Sequence, residues 1–360
     1  MLYAYLLPIR YAFLTFPFLA FLFTLPFLIV QYRKYGYVNK IRVIVIYSLL
    51  LYLLTALYLV ILPLPATRNT CDMLRGAYMS FVPFQFVRDF LKETGVQLGT
   101  PSTYLHLFRE RAFLQAVFNV LLLVPLGVYL RYYFRFGLVG SAVAAFGLSL
   151  LFEITQVTGL YGIYECPYRL FDVDDLMLNT LGGLLGYAAA PLLMRILPPA
   201  AKLDEKVDLK SEKVGLTRRW ISLQLDLLVL FPAALLFMRS GDLRIYAIVC
   251  LLYFIVLPYF TNGRTLGKAI VRIRVQGQGA RVSLKELLIR YGVLYGGIAG
   301  LHALFVSGVA HDAPPLLLAL CLGTTACVDI AFAIHLGLRL LSRDKILFYE
   351  RWSGTKHGIF

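Results

Sequence analysis

Long apolar runs, broken by short polar or basic stretches, set the pattern of this chain. A bilayer core is crossed by about 20 helical residues. Runs of that order recur at 11–31, 43–62, 112–130, 137–157, 176–194, 220–238, 245–261, 288–309 and 316–338. The pattern predicts an all-α, polytopic integral membrane protein with about nine transmembrane helices. The first run has one cation, Arg10, and no small-x-small cleavage pattern before Gln31. It is read as an uncleaved span rather than a signal peptide.

The polar stretches divide the chain. Residues 198–219 (PPAAKLDEKVDLKSEKVGLTRR) are charged, mixed in sign and opened by two prolines. They read as a cytoplasmic linker. The expected organisation is a five-span domain over 1–197, a linker over 198–217 and a four-span domain over 218–360. No internal repeat relates the halves, which argues against an inverted-repeat transporter. Residues 80–91 (SFVPFQFVRDFL) are too short to span and predict an interfacial helix, with Arg88, Asp89 and Lys92 toward water. Residues 271–284 alternate apolar and basic positions and turn at Gly277 and Gly279, which predicts a short hairpin.

Composition agrees with the pattern. Of 360 residues, 59% are hydrophobic and 15% charged, with a mean hydropathy of +0.74. Soluble domains run at roughly 45–50% apolar and about 25% charged. The net charge of +15 calls for no nucleic acid. With nine spans and the N-terminus outside, the inner segments hold 25 Lys and Arg and the outer ones 10, which accounts for all 35. Positive residues gather on the cytoplasmic side, so an N-out, C-in orientation is expected, with anionic membrane lipids against the basic face.

No C-x-x-C pair or metal-ligand spacing is present among the five cysteines. Cys250, Cys321 and Cys327 fall in spans and read as packing residues. Cys71 and Cys166 fall in outer segments and form a candidate disulfide pair; the sequence leaves their distance open. His106, His302, His311, His335 and His357 are scattered without ligand spacing, so no metal is assigned; His335 reads as a packed or hydrogen-bonded span residue. No cofactor is expected.

The candidate chemistry lies near the outer ends of three spans. Asn119 sits ~12 Å below the surface and Glu153 ~7 Å, by helical rise. Gln156 is three residues from Glu153 and shares its face. Asp172, Asp175 and Asn179 are spaced three and four, again on one face. Asp174 stands beside them, and Arg169 and Tyr168 lie on the adjoining loop. Two readings stay open: a hydrogen-bonded knot with an aspartate cap at the helix start, or a pocket for a polar head group, a cation or an amine-bearing ligand. Acid–base catalysis by Glu153 and Asp175, as in a lipid-modifying enzyme, is a minor alternative, because no nucleophile or metal set accompanies them. The expectation is therefore a non-enzymatic protein.

At these residues the chain resembles the VanZ-like family of bacterial membrane proteins, over roughly residues 40–195. The resemblance rests on FVPFQ (81–85), NVLLLVPLG (119–127), LFEITQ (151–156) and FDVDDLMLNTLGGLLGY (171–187). The matching positions are Asn119, Pro125, Gly127, Glu153, Gln156, Asp172, Asp174, Asp175, Asn179 and Gly182. Where the family often has Asn before the Pro-Phe pair, Ser80 stands three residues before Pro83. The resemblance implies a plasma-membrane envelope protein associated with glycopeptide resistance, notably to teicoplanin. A cell-wall lipid intermediate or a lipoglycopeptide would be its ligand.

The second half has acids within its spans. Asp226 lies about 10 Å into its helix, and Asp329 lies ten residues from Arg339, near mid-membrane. Such groups should face the interior and be paired; Arg219 and the two acids are the expected partners of one another. This part resembles the RDD family over about 217–356, through Arg219, Asp226, TNGRTLGK (261–268), Asp329 and FYERWSGT (348–355). The family tail commonly reads His-Asp where Tyr349 and Glu350 stand, which argues against a role for that pair. GRTLGK lacks the spacing of a nucleotide-binding phosphate loop. The resemblance implies a secondary transporter exchanging cations for protons through Asp226 and Asp329, and with four spans that would require a homo-oligomer.

Overall fold

In the computed structural model, residues 2–74, 78–96, 99–199, 214–307, 314–342 and 345–360 are described. Among them are nine helices long and apolar enough to cross a membrane, at the places the apolar runs predict. The expected linker lies for the most part, at 200–213, outside the described residues.

The chain forms two compact units, Met1–Leu22 with Asn39–Lys206 and Phe23–Val38 with Val207–Phe360. The first long helix, α1 (Leu2–Lys34), is divided between them.

The first unit continues with α2 (Lys40–Ile61), capped by the Asn39 carboxamide, which accepts from the backbone N–H groups of Ile41 and Arg42. A short strand β1 (Met79–Ser80) leads into α3 (Gln85–Glu93). Two spans follow, α4 (Arg111–Tyr132) and α5 (Leu138–Val157). Then come β2 (Phe171–Asp172), which pairs parallel with β1, and α6 (Val173–Met194). Helix α3 is the expected interfacial helix, starting five residues later than the apolar stretch because 79–80 pair as a strand. Cys71 and Cys166 are joined in a disulfide, which decides the open pairing.

Helices α4 and α6 meet backbone to backbone. A Cβ on Gly182 would strike the Val120 carbonyl, and one on Gly186 the Val124 carbonyl. Small residues allow this approach in a membrane, where packing and not water exclusion drives association. Ala56, Val60, Leu123, Leu126, Ala145 and Phe152 form the apolar centre beside that contact.

The second unit holds α7 (Leu216–Ser240), α8 (Leu243–Phe260), α9 (Leu266–Ile270), β3 (Ile273–Gln276), α10 (Leu284–Phe305), α11 (Pro315–Leu341), α12 (Phe348–Ser353) and β4 (Lys356–Ile359). Helices α8 and α10 each contain a π-helical stretch, at Leu251–Val256 and Gly292–Ile298. The expected hairpin over 271–284 does not form. Strand β3 pairs antiparallel with β4 at the far end of the chain. The residues after Gly277 instead build the start of α10. Ser283 and Glu286 form a reciprocal capping box, and the Gln278 N–H also donates to Glu286. Alternation identified a strand, and the cap removed its expected partner.

Candidate functional site

A cavity of about 370 Å³ lies among α2, α4, α5 and α6 of the first unit. Six of the eight residues expected to bind a ligand line it: Asn119, Glu153, Gln156, Arg169, Asp175 and Asn179. Helical spacing brings them together as the sequence suggests. Glu153 and Gln156 come from one face of α5, Asp175 and Asn179 from one face of α6, and Asn119 from α4.

Hydrogen bonds hold these side chains in place. The Asn119 amide donates to Asp175 Oδ1. Gln156 Nε2 donates to the Val60 carbonyl at 2.9 Å, and Arg169 Nη2 to the Leu62 carbonyl at 2.8 Å. These two bonds cap the open end of α2, whose last carbonyls lack helical partners. Glu153, 2% exposed, accepts the Asp172 N–H at 3.0 Å. Asn179 Nδ2 donates to Ser149 Oγ at 2.9 Å, while Asn179 Oδ1 is buried with no partner.

The other two expected residues do not line the cavity. Asp172 is the N-cap of α6 and accepts the Asp174 N–H at 3.0 Å. Burial pushes its carboxyl pKa up, and the neighbouring Asp174 and Asp89 charges add to this, against the Asp174 N–H. Asp174 grips the α3 entry, accepting from the Phe84 N–H at 2.6 Å and the Phe86 N–H at 2.9 Å. Phe84 is left-handed there, with φ +62°. Asp172 and Asp174 thus hold helix ends in place, as the knot reading expects, while the other six residues line the cavity.

Sequence reading missed the α2 wall, Tyr52 and Thr55. Tyr52 OH donates to the Leu122 carbonyl at 2.7 Å, near Pro125 in α4. Two polar residues three apart in an apolar span are the signal that was available. A second cavity of about 320 Å³, walled by apolar side chains of α3, α4 and α6, shares Leu121 with the first.

In the second unit the expected grouping of Arg219, Asp226 and Asp329 is corrected: each has a different partner. Arg219 Nη1 pairs with Glu350 at 2.8 Å. Asp226, 0% exposed, accepts from Tyr253 OH, Thr265 Oγ1 and the Gly267 N–H, each at 2.7 Å. Lys268 Nζ lies 3.6 Å from Asp226 and bonds to Thr265 Oγ1. The GRTLGK loop thus closes around a carboxylate of its own chain. Asp329 pairs with His302 at 3.1 Å. Seven residues of helix separate Arg219 from Asp226, a rise of ~10 Å, and Glu350 offers Arg219 a closer carboxylate.

Glu350, discounted from the sequence, is the centre of a buried network. Its carboxylate accepts from Arg219, from Arg290 Nη2 at 3.0 Å, from His357 Nδ1 at 2.8 Å and from the Leu347 N–H at 2.9 Å. Burial raises the Glu350 pKa, but His357, Arg290 and Arg219 outweigh it and hold the group well below the usual carboxylate range. Burial and the Arg290 charge lower His357 to about 3, so the ring is neutral. His335 accepts the Phe348 N–H at 3.2 Å and packs on that ring. Among the described residues, no three His, Cys, Asp or Glu side chains gather to hold a metal.

These features define a polytopic helical membrane protein with a polar cavity in its first unit and closed ion-pair networks in its second. Residues 49–194 match the VanZ/LLP1 family and residues 213–334 the RDD family, so the chain carries a VanZ-like domain followed by an RDD domain. No curated protein and no solved structure matches it.

Proposed function

We propose that this is a bacterial plasma-membrane envelope protein whose VanZ-like unit binds the polar part of an extracytoplasmic amphiphile and thereby lowers susceptibility to teicoplanin. The amphiphile is a lipid-linked cell-wall component or the lipoglycopeptide itself. One observation carries the reading: the 370 Å³ cavity, in which Glu153 and Asp175 face amide donors and Arg169. Carboxylates suit ammonium and hydroxyl groups, a guanidinium suits phosphate or carboxylate, and Asn179 Oδ1 offers a free acceptor. The adjoining apolar cavity suits the acyl chain. An N-out, C-in orientation, supported by the charge count, opens the site to the exterior, and a disulfide at Cys71 and Cys166 suits that compartment. The reading is one of binding: Asp175 accepts from Asn119 and Glu153 from the Asp172 N–H, so both carboxylates serve as fixed acceptors.

The test is expression in a susceptible Gram-positive host, with teicoplanin and vancomycin susceptibility measured side by side. Selective teicoplanin protection, lost in Asp175→Asn at equal expression, is the expected result. No protection from a well-expressed protein overturns the reading. The competing assignment, cation–proton exchange through Asp226 and Asp329, requires ion flux in proteoliposomes that Asp226→Asn with Asp329→Asn abolishes.

A further inference from the structure

Charged groups in a bilayer face a protein interior, a polar partner or water, because hydrocarbon cannot solvate them. Asp226, within α7, follows that rule. Asp329 and His302 do not: their side chains remain 49% and 51% exposed while bonding to each other. Asp329 lies ten residues, ~15 Å, from Arg339 at the inner end of α11, near the middle of a ~30 Å core. His302 Nδ1 is 3.0 Å from the Ile298 carbonyl, so its ring is oriented from its own helix.

Much of α11 is likewise exposed, apart from Phe332, His335 and Leu336, which pack toward α12 and its surroundings. Thr325 alone is buried among its described residues. Its glycines differ from those of α6: a Cβ on Gly323 or Gly337 would meet nothing within 4 Å. Glycine within a helix costs about 1 kcal/mol relative to alanine. At Gly182 close packing inside the unit explains it; at Gly323 and Gly337 nothing among the described residues of the second unit does.

We propose that the α10–α11 face carrying His302 and Asp329 is the interface with a second copy of this chain. A two-fold interface brings one patch against itself, so a patch holding both an acid and a base is self-complementary. In such a dimer Asp329 of each copy meets His302 of the other, and both charges leave the lipid. No other partner need supply a matching pair. Ala326, Ala333 and Gly337 flank Asp329 on its own side of the helix and permit close approach. The interface is independent of the ligand cavity.

The test is cysteine cross-linking of the full chain in native membranes, with Cys250, Cys321 and Cys327 replaced by serine and Cys71–Cys166 retained. Ala326→Cys and Ala333→Cys lie on the Asp329 side; Leu320→Cys and Leu338→Cys lie opposite it, each nine residues from Asp329. All four positions are exposed, so the substitutions leave the fold intact. Oxidation is expected to give a covalent dimer of the chain from the first two variants and not from the last two. Energy transfer between labelled copies in nanodiscs should show His302→Ala raising the dimer dissociation constant about 3- to 30-fold, the range for one interhelical polar contact. Four outcomes overturn the proposal: a monomer at all concentrations, equal cross-linking on both sides, an adduct with a different protein, or ready labelling of Ala326→Cys by a water-soluble maleimide.

Discussion

Glu350→Gln should destabilise the second unit selectively. The substitution keeps the side-chain volume and removes the carboxylate that Arg219, Arg290 and His357 share. Arg290 is 3% exposed at its side chain and would retain Thr355 Oγ1, at 2.6 Å, as a hydrogen-bond acceptor. Arg219 is 14% exposed and would keep the Lys345 and Val214 carbonyls. Removing one partner of a buried pair costs about 3–5 kcal/mol, because the other charge stays buried. Two pairs share this carboxylate, and losses within one network do not add, so the expected cost stays at about 3–5 kcal/mol. At about 2–4 °C per kcal/mol for a unit of this size, the melting temperature should fall by about 6–20 °C. The protein has two tryptophans, Trp220 and Trp352, both in the second unit. Tryptophan fluorescence, excited at the red edge where tyrosine does not absorb, therefore reports that unit alone during a thermal ramp in detergent or nanodiscs. A change below about 1 kcal/mol in Glu350→Gln would refute the argument, since that is the value of a surface pair.

Two further outcomes follow from the same physics. His357 is neutral when folded, with its pKa lowered to about 3 against an ordinary 6.5. The unfolded chain therefore binds the extra proton first as pH falls. Stability should be full above pH 6.5 and decline toward pH 3 by about 1.4 kcal/mol per unit. Glu350 adds its own loss only below its ordinary value of 4.5, and His357→Gln should flatten the slope between these two limits. In the first unit, Gly182→Ala drives a methyl into the Val120 carbonyl, whereas Gly147→Ala meets nothing within 4 Å. The first should lower stability by about 1–3 kcal/mol and the second should not lower it, as read by size-exclusion recovery after heating.

The spans and the cavity were legible because both rest on local periodicity. Apolar runs of bilayer length mark helices. Residues three or four apart share a face, so Glu153 with Gln156 and Asp175 with Asn179 had to point together. What stayed hidden depends on partners far along the chain. Asp174 and Asp175 are adjacent and chemically identical, yet one holds α3, 90 residues earlier, while the other lines the cavity. Glu350 meets Arg219 across 131 residues, and no spacing rule reaches that far. The strand at Ile273–Gln276 was visible as a strand; its partner at the end of the chain was not.

The Cys71–Cys166 bond ties the loop between α2 and α4 to the loop between α5 and α6. Both loops leave the same end of the helix bundle, so the two thiols are delivered to one compartment together. A disulfide persists only where that compartment is oxidising. Under the proposed orientation the bond would be a covalent record of which way up each molecule entered the membrane. If the proposed N-out orientation holds, a copy inserted the other way would present both thiols to the reducing cytoplasm and remain open, and with Cys250, Cys321 and Cys327 replaced by serine free-thiol labelling would separate the two populations.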